Sequence, residues 1–340
     1  MEEGRHRVGA LVETPAVLRE FGVEAEDVLR SVGLPADALD DPEGALTFPE
    51  LGRFVQACVA ATGCEHFGHL VGERSGTSCL GLVGSLMRNA PTVGEAILDL
   101  CTNQHRYIRG AVTYLAVQDN VAFWGYAVHY PGFSVAEQVS EGAMAIGFNM
   151  LRELARRRAD EVLSARKAVV DPQPYRRFFG ITPRFDAEQH AMVFPAAMLA
   201  WPVIGADPDL RRTLETKVAQ YWAARQPTVA EQAMRHLRAH VVLGGATREN
   251  LAHLLSLSTR SLNRRLRGEG TTFRELLDRA RFQVAQQLLA GTRMSVTAVA
   301  LALAYSETSA FDHAFQRWSG DRPSDWRDRV LGAAAATSAR

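Results

Sequence analysis

Residues 256–270, SLSTRSLNRRLRGEG, place Arg260, Arg264, Arg265 and Arg267 within eight positions, with Leu262 and Leu266 threaded between them. A guanidinium carries a planar fork of donors that fits the major-groove edge of guanine or a phosphate, and an asparagine such as Asn263 pairs with adenine in the same two-pronged way. A charge run is also what an ordinary solvated helix face looks like. The elements around the run decide between the two. Leu262 and Leu266 stand four residues apart and form the buried stripe of a helix, which leaves Arg260, Asn263, Arg264 and Arg267 away from the core. Ser258 occupies the N-cap position, so the positive end of the helix dipole lies near the outward groups.

The segment belongs to a quasi-repeat. In the first copy ENLAHLL leads through Leu257 and Ser258 into the helix just described; in the second SVTAVALALAY leads through SET into a helix holding Phe311, Phe315 and Trp318. Ala252 to Leu257 and Ala300 to Tyr305 are both five apart: a small residue at a close helix crossing, then an apolar plug in the turn. Each copy reads as a helix-turn-helix. Between them Thr272 and Glu275 form a capping box that opens FRELLDRARFQVAQQLLA, closed by Gly291. A helix of about 18 residues spans roughly 27 Å. It can hold two reading helices in successive turns of one major groove, about 34 Å apart.

Charge distribution agrees. The 340-residue chain has 38 basic and 38 acidic residues, yet residues 228–340 carry 16 Arg against 10 Asp and Glu, net +6, and residues 1–227 are net −6. A basic C-terminal third on an acidic body points to a polyanion bound by that third alone. Hydrophobic content of 47% and charge of 22% describe a globular chain. The opening MEEGRHRVGALVETP lacks the layout of a signal peptide, and no run of about 18 apolar residues occurs, so a cytoplasmic protein without a membrane partner is expected. Cys58, Cys64, Cys79 and Cys101 have no zinc-site spacing, and His66 and His69 lack companions in a recognisable ligand pattern. Neither metal nor cofactor is expected. With no G-x-S-x-G, phosphate loop or paired-carboxylate constellation, catalytic residues are not predicted and the chain reads as a non-enzyme.

The first two thirds mix helices and strands. Capping boxes Thr47/Glu50, Thr92/Glu95 and Ser134/Glu137 predict helices over FPELGRFVQACVAAT, VGEAILDLCTNQHRYI and VAEQVSEGAMAIGFNMLRELARR, with Gly63 stopping the first. AVTYLAVQ and VAFWGYAVH flank Asp119-Asn120 as a β-hairpin, and EVLSARKAVV and HAMVF read as further strands separated by DPQPYRRFFGITP. The expected fold is an α+β N-terminal domain, an antiparallel sheet covered by helices, followed by an all-α domain of two helix-turn-helix motifs joined by a long helix. The predicted units are residues 1–205, a helical linker 206–227 through PDLRRTLETKVAQYWAAR, and residues 228–340, with Gln226-Pro227 at the boundary.

Residues 228–330, through STRSLNRRLRGEG, RARFQVAQQLL and VALALAYSETSAFDHAFQRWSGDRPSDWR, resemble the AraC/XylS family of bacterial transcription regulators. Residues 15–205, through GLVGSLMRNAPTVGEAILDL and DPQPYRRFFGITPRFDAEQHAMVFPAAML, are similar to the effector domain of one branch of that family, which includes regulators of ornithine catabolism and virulence. The resemblance implies base-edge readers at Arg260, Asn263 and Arg264 in the first copy and at Ser309 and His313 in the second. It places Arg267 and Arg317 at the DNA as well, with Arg317 near phosphate. It also implies double-stranded DNA, a small-molecule effector, RNA polymerase and a second copy of the chain as partners, and activation of transcription as the output. Two departures stand out. The family's usual Gly-Phe turn is Ala304-Tyr305 here, which predicts a tighter second turn, and Asp312-His313 replaces the Arg or Lys of relatives, which predicts weak phosphate binding by the second reader.

For the effector, Trp124 and Tyr126 alternate on one hairpin face, close in sequence to His105, Arg106 and Tyr107 at the end of the preceding helix. These five residues are the expected ligand-binding set, an apolar pocket with a few fixing groups. An arginine among them favours a carboxylate such as an amino acid or a fatty acid. Aromatics filling the core between sheet and helix explain the same letters. For assembly, Val135, Val139, Ala143, Ile146, Met150 and Leu154 are spaced as one apolar stripe, which suits either a dimer face or packing on the chain's own sheet. The alternatives to an effector-responsive regulator are an enzyme domain with a DNA-binding tail and a regulator that ignores effectors.

Overall fold

A computed structural model describes residues 4–104, 108–130, 133–221, 228–242 and 245–338. Strand β1 (Arg5–Arg7) pairs antiparallel with β2 (Ala45–Thr47). Helices α1 (Thr14–Glu20), α2 (Ala25–Ser31), α3 (Phe48–Thr62) and α4 (Phe67–Glu73) build a small core of their own around Leu18, Leu51, Phe54 and Phe67. The Thr47/Glu50 box opens α3, and Gly63 closes it at φ 64°, the left-handed conformation that only glycine adopts without strain. Next come α5 (Gly81–Arg88) and α6 (Val93–Asn103), the latter capped by Thr92.

The main sheet has β3 (Ala111–Gln118), β4 (Val121–Val128), β5 (Glu161–Leu163) and β6 (His190–Pro195) in the order β3-β4-β6-β5, antiparallel throughout. Gln118 pairs with Val121, so Asp119 and Asn120 alone form the turn, both at positive φ (48° and 64°), as a primed hairpin turn requires. Of the predicted strand EVLSARKAVV only Glu161–Leu163 is a strand. Its continuation pairs in passing, and DPQPYRRFFGITP holds a short helix, α8 (Gln173–Phe179), where the sequence reading expected a connection.

Helix α7 (Ala136–Ala155) lies across the sheet. It starts one residue later than the Ser134 box predicts: Val135 is the N-cap, and no side chain caps the helix. What seats it is glycine. Any Cβ on Gly68 of α4 would come within 2.1 Å of the Gln138 carbonyl, and one on Gly72 within 2.2 Å of the Gly142 carbonyl, so α4 and α7 cross backbone to backbone. The α7 stripe faces inward. Ile146, Met150 and Leu154 are buried in the main core, and Val139 and Ala143 pack against it, so this stripe does not supply a dimer face. Helix α9 (Pro208–Tyr221) docks on α5 through Leu214 and Val218, and Arg211 reaches Asp99 of α6 at 2.8 Å.

The C-terminal helices are α10 (Val229–His240), α11 (Arg248–Leu254), α12 (Thr259–Gly268), α13 (Phe273–Gly291), α14 (Val296–Ala302), α15 (Thr308–Ser319) and α16 (Pro323–Ser338). They share one core around Leu237, Leu262, Leu266, Leu288, Phe311 and Phe315. Capping boxes open α10 at Thr228/Glu231 and α13 at Thr272/Glu275. This core does not end at the bundle. It takes in Tyr114 and Ala127, with Val112 and Ala116 packed against it, so the outer face of β3 and β4 is covered by the C-terminal helices.

Candidate nucleic-acid interface and effector cavity

Each reading helix is delivered by a turn of the same construction. Leu257 N–H donates to the Ala252 carbonyl at 2.8 Å and Tyr305 N–H to the Ala300 carbonyl at 3.0 Å, the two pairs that the sequence spacing singled out. Before each plug one residue turns left-handed, Ser256 at φ 53° and Ala304 at φ 58°. The second turn is therefore matched to the first rather than tighter; the missing glycine is met by strain at Ala304.

On α12 the Ser258 hydroxyl accepts from Ser261 N–H at 3.1 Å, and Leu262 and Leu266 are fully buried. Arg260, Arg264, Arg265 and Arg267 are exposed and Asn263 is half-buried. The row of donors thus stands on the side opposite the leucines. α15 is built on Phe311 and Phe315 and leaves Ser309, His313 and Arg317 exposed. Its charge is already engaged: Arg317 lies 3.4 Å from Asp278 of α13, and the Ser309 hydroxyl bonds Glu307 at 3.3 Å. An exposed ion pair of this kind contributes less than about 1 kcal/mol. It can exchange for a phosphate at little cost. The first reader therefore presents a denser array of cations than the second.

The inner face of the sheet, together with α3, α4 and α7, lines a cavity of about 120 Å³. Trp124 and Tyr126 line it from β4, as their alternation predicts, and both are buried. His105, Arg106 and Tyr107 fall outside the described residues. The rest of the lining comes from segments far apart in sequence, among them His6, Thr14, Phe54, Phe67, Gln104, Gln138, Met144, Met150 and Met192. No local pattern joins these, although the spacing of Gly68 and Gly72 in GHLVG marks the close crossing that forms one wall. Burial pushes the Tyr126 hydroxyl well above its usual range and holds the His6 imidazole down at about 4, so both are neutral at pH 7. His69 is buried, stacked on Tyr175 at 4.5 Å and 2.9 Å from Glu73. Among the described residues no group of three metal-ligating side chains comes together.

The hairpin β3–β4 is shared between the two sites. Thr113, Leu115, Trp124 and Tyr126 point to the cavity or the main core, while Tyr114 and Ala127 on the opposite face pack against the C-terminal bundle. Gly291 at the end of α13 makes this approach possible, since a Cβ there would come within 2.8 Å of the Val128 carbonyl. Arg293 locks the corner: its main-chain N–H donates to the Glu188 carbonyl at 2.8 Å, and its guanidinium bonds Asp186 at 3.0 Å and the carbonyls of Ala165 and Ala187 at 2.8 and 2.7 Å.

Comparison with known proteins agrees with this layout. The arabinose-binding N-terminal domain of AraC transcription regulators matches residues 22–203, and a helix-turn-helix domain matches residues 251–329. The chain belongs to the AraC family of transcription regulators. VirS of Mycobacterium tuberculosis, an HTH-type transcriptional regulator, is 27% identical over 318 residues, 92% of this chain and 93% of VirS. The ornithine utilization regulator of Pseudomonas aeruginosa is 26% identical over 321 residues, again 92% and 93% of the two chains. The crystal structure of the transcriptional regulator CdpR from P. aeruginosa covers 89% of this chain and 96% of its own, at 22% identity and a TM-score of 0.42. Like its AraC-family relatives, the chain joins an effector-type domain to a DNA-binding helix-turn-helix region. None of its helices within the described residues is long and apolar enough to cross a membrane.

Proposed function

We propose that the chain binds operator DNA through α12 and α15, and that a small molecule in the sheet-and-helix cavity sets how the DNA-binding unit is held. On this reading residues 1–205 are the effector unit, 206–227 a helical linker and 228–340 the DNA-binding unit. Arg260, Asn263 and Arg264 read base edges from α12 with Arg267 on phosphate; Ser309 and His313 read from α15, with Arg317 released from Asp278 to a phosphate. Trp124 and Tyr126 are effector contacts. The observation that carries the reading is the β3–β4 hairpin, one face on the cavity and the other in the core of the reading bundle. A ligand that shifts Trp124 or Tyr126 displaces the support of α13 and α14, because close-packed interiors transmit strain.

The family resemblance supports further parts of the reading: action on the chromosome in the cytoplasm, no catalytic step, contact with RNA polymerase at the promoter, activation, and pairing of two copies through a surface other than the α7 stripe. The test is a genome-wide binding map of the intact protein, followed by transcription from the occupied promoters with purified polymerase. Occupancy at discrete promoters with rising transcript is expected. Falling transcript would make it a repressor, and the absence of discrete occupancy would overturn the reading.

A further inference from the structure

The lining of the cavity specifies the chemistry of its ligand more narrowly than the family does. Around the roughly 120 Å³ space stand Leu11, Phe54, Phe67, Val71 and Ile146, with the adjustable thioethers of Met144 and Met150 from α7 and of Met192 from β6. An engineered apolar cavity of about 150 Å³ holds one benzene ring. The space here suits one ring or a short chain, with methionines that can yield to a slightly larger guest.

Among the described lining residues there is no Arg, Lys, Asp or Glu. Burial holds His6 at about 4 and lifts Cys79 to about 12, so neither supplies a charge near neutrality. Arginines do stand nearby, but across a partition. Arg109, Arg235 and Arg238 line a second cavity between the sheet and α10, and Gln104, Ile108 and Thr113 line both spaces. The Gln104 amide is fixed in that wall: its oxygen accepts from Thr113 N–H at 2.6 Å and its nitrogen donates to the Ala111 carbonyl at 3.4 Å. A carboxylate placed in the apolar cavity would lose its water without gaining a cation from the described lining residues.

Two polar atoms are left over. The hydroxyls of Thr14 on α1 and Tyr126 on β4, two residues that line the cavity, are buried and have no hydrogen-bond partner among the described residues. Buried hydroxyls without partners are rare, and each can both donate and accept.

We propose that the cavity binds an uncharged, predominantly apolar molecule of about one ring in size, carrying a hydroxyl or carbonyl that satisfies Tyr126 and Thr14. This rests on the reading of the cavity as the effector site, and it differs from the carboxylate that Arg106, a residue outside the described set, would favour.

Titration calorimetry of the full-length protein at pH 7.5 with toluene, benzyl alcohol, benzoate, 1-hexanol and hexanoate tests it. The alcohols should bind at least tenfold more tightly than the matching carboxylates. Tyr126→Phe should weaken benzyl alcohol several-fold and leave toluene unchanged. Ala143→Phe, which plugs the cavity, should abolish all binding; Val139→Phe replaces it if that variant melts at a lower temperature than the wild type. Benzoate or hexanoate binding as tightly as the alcohols, with binding lost in the plugged variant, overturns the neutral class while keeping the cavity as the site. Loss of that carboxylate binding in Arg238→Gln would place the charge across the partition. Binding of none of the five, or binding that survives the plug, overturns the effector-site reading and the ligand class with it.

Discussion

Arg264 and Arg267 lie three residues apart on the exposed side of α12, and different work is expected of each. Arg264→Ala should cost about 1–3 kcal/mol on the cognate site and relax preference at one base pair, whereas Arg267→Ala should weaken all duplexes about equally. Electrophoretic mobility shifts on cognate and scrambled DNA measure both; an equal loss on both duplexes for Arg264→Ala contradicts its reading role. On α15, His313→Arg should tighten binding at low salt and steepen the dependence of log affinity on log salt by up to about one unit. An unchanged slope would mean that this position stays off the backbone. His190 makes a different prediction. Burial, and then the Arg293 charge, hold its imidazole down at about 4, and its Nδ1 has no partner among the described residues. The unfolded chain takes up a proton near pH 6.5 that the folded chain refuses until about 4. The stability tied to neutral His190 is therefore whole above about 6.5 and lost as pH falls toward 4, by roughly 3 kcal/mol. Glu141 opposes this: burial lifts its carboxyl to about 7 despite Arg166, so the folded state gains a proton as pH falls through 7. The readout is thus a difference. Urea unfolding at pH 7 and pH 5 should show a larger loss for wild type than for His190→Gln, and equal losses would refute the assignment. Local chemistry made the exposed side of α12 legible, because i, i+4 leucines fix which side the arginines take. The cavity was legible only at Trp124 and Tyr126, since Thr14, Gln104 and Met192 join it through tertiary packing.

Helix starts were legible where a side chain does the capping, as at Thr47, Thr92, Ser258 and Thr272. Where none does, the start departs from the local pattern. Ser134 has the right spacing to Glu137, but α7 is placed by its glycine crossing with α4, and this tertiary fit outweighs a cap worth about 1 kcal/mol. The EVLSARKAVV strand was read too long for a similar reason: β-branched residues satisfy the local pattern, yet β6 offers partners to Glu161–Leu163 only. The hairpin was read correctly because Asp119-Asn120 carries its own turn geometry. Between the two helix-turn-helix elements the strained position is Ala304, left-handed where its counterpart Ser256 is also left-handed. Ala304→Gly should relieve that strain and raise stability by up to about 1 kcal/mol, net of the extra freedom glycine gives the unfolded chain. Thermal melting reads it directly, and a lower melting temperature would show that Ala304 is not strained in solution.

At the scale of the whole chain, a net-zero protein carries an acidic residue excess over 1–227 and a basic excess over 228–340, a charge asymmetry read directly from the sequence. What it did not disclose is that the two share a wall, because Tyr114 and Ala127 read as ordinary strand residues until the bundle is seen against them. The shared wall packs against α13, which joins the two helix-turn-helix elements, and α14, which opens the second, and the central proposal is that one chain presents two base-reading helices to a single stretch of duplex. The most direct measurement is selection of bound sequences from a random duplex library by the full-length protein, repeated with Arg264→Ala. The expected motif has two conserved segments about one helical turn, 10–10.5 base pairs, apart. The segment read by α12 should be the stronger, and the variant should lose information at one position within it. Enrichment of no motif, or of one that Arg264→Ala leaves intact, would contradict the account.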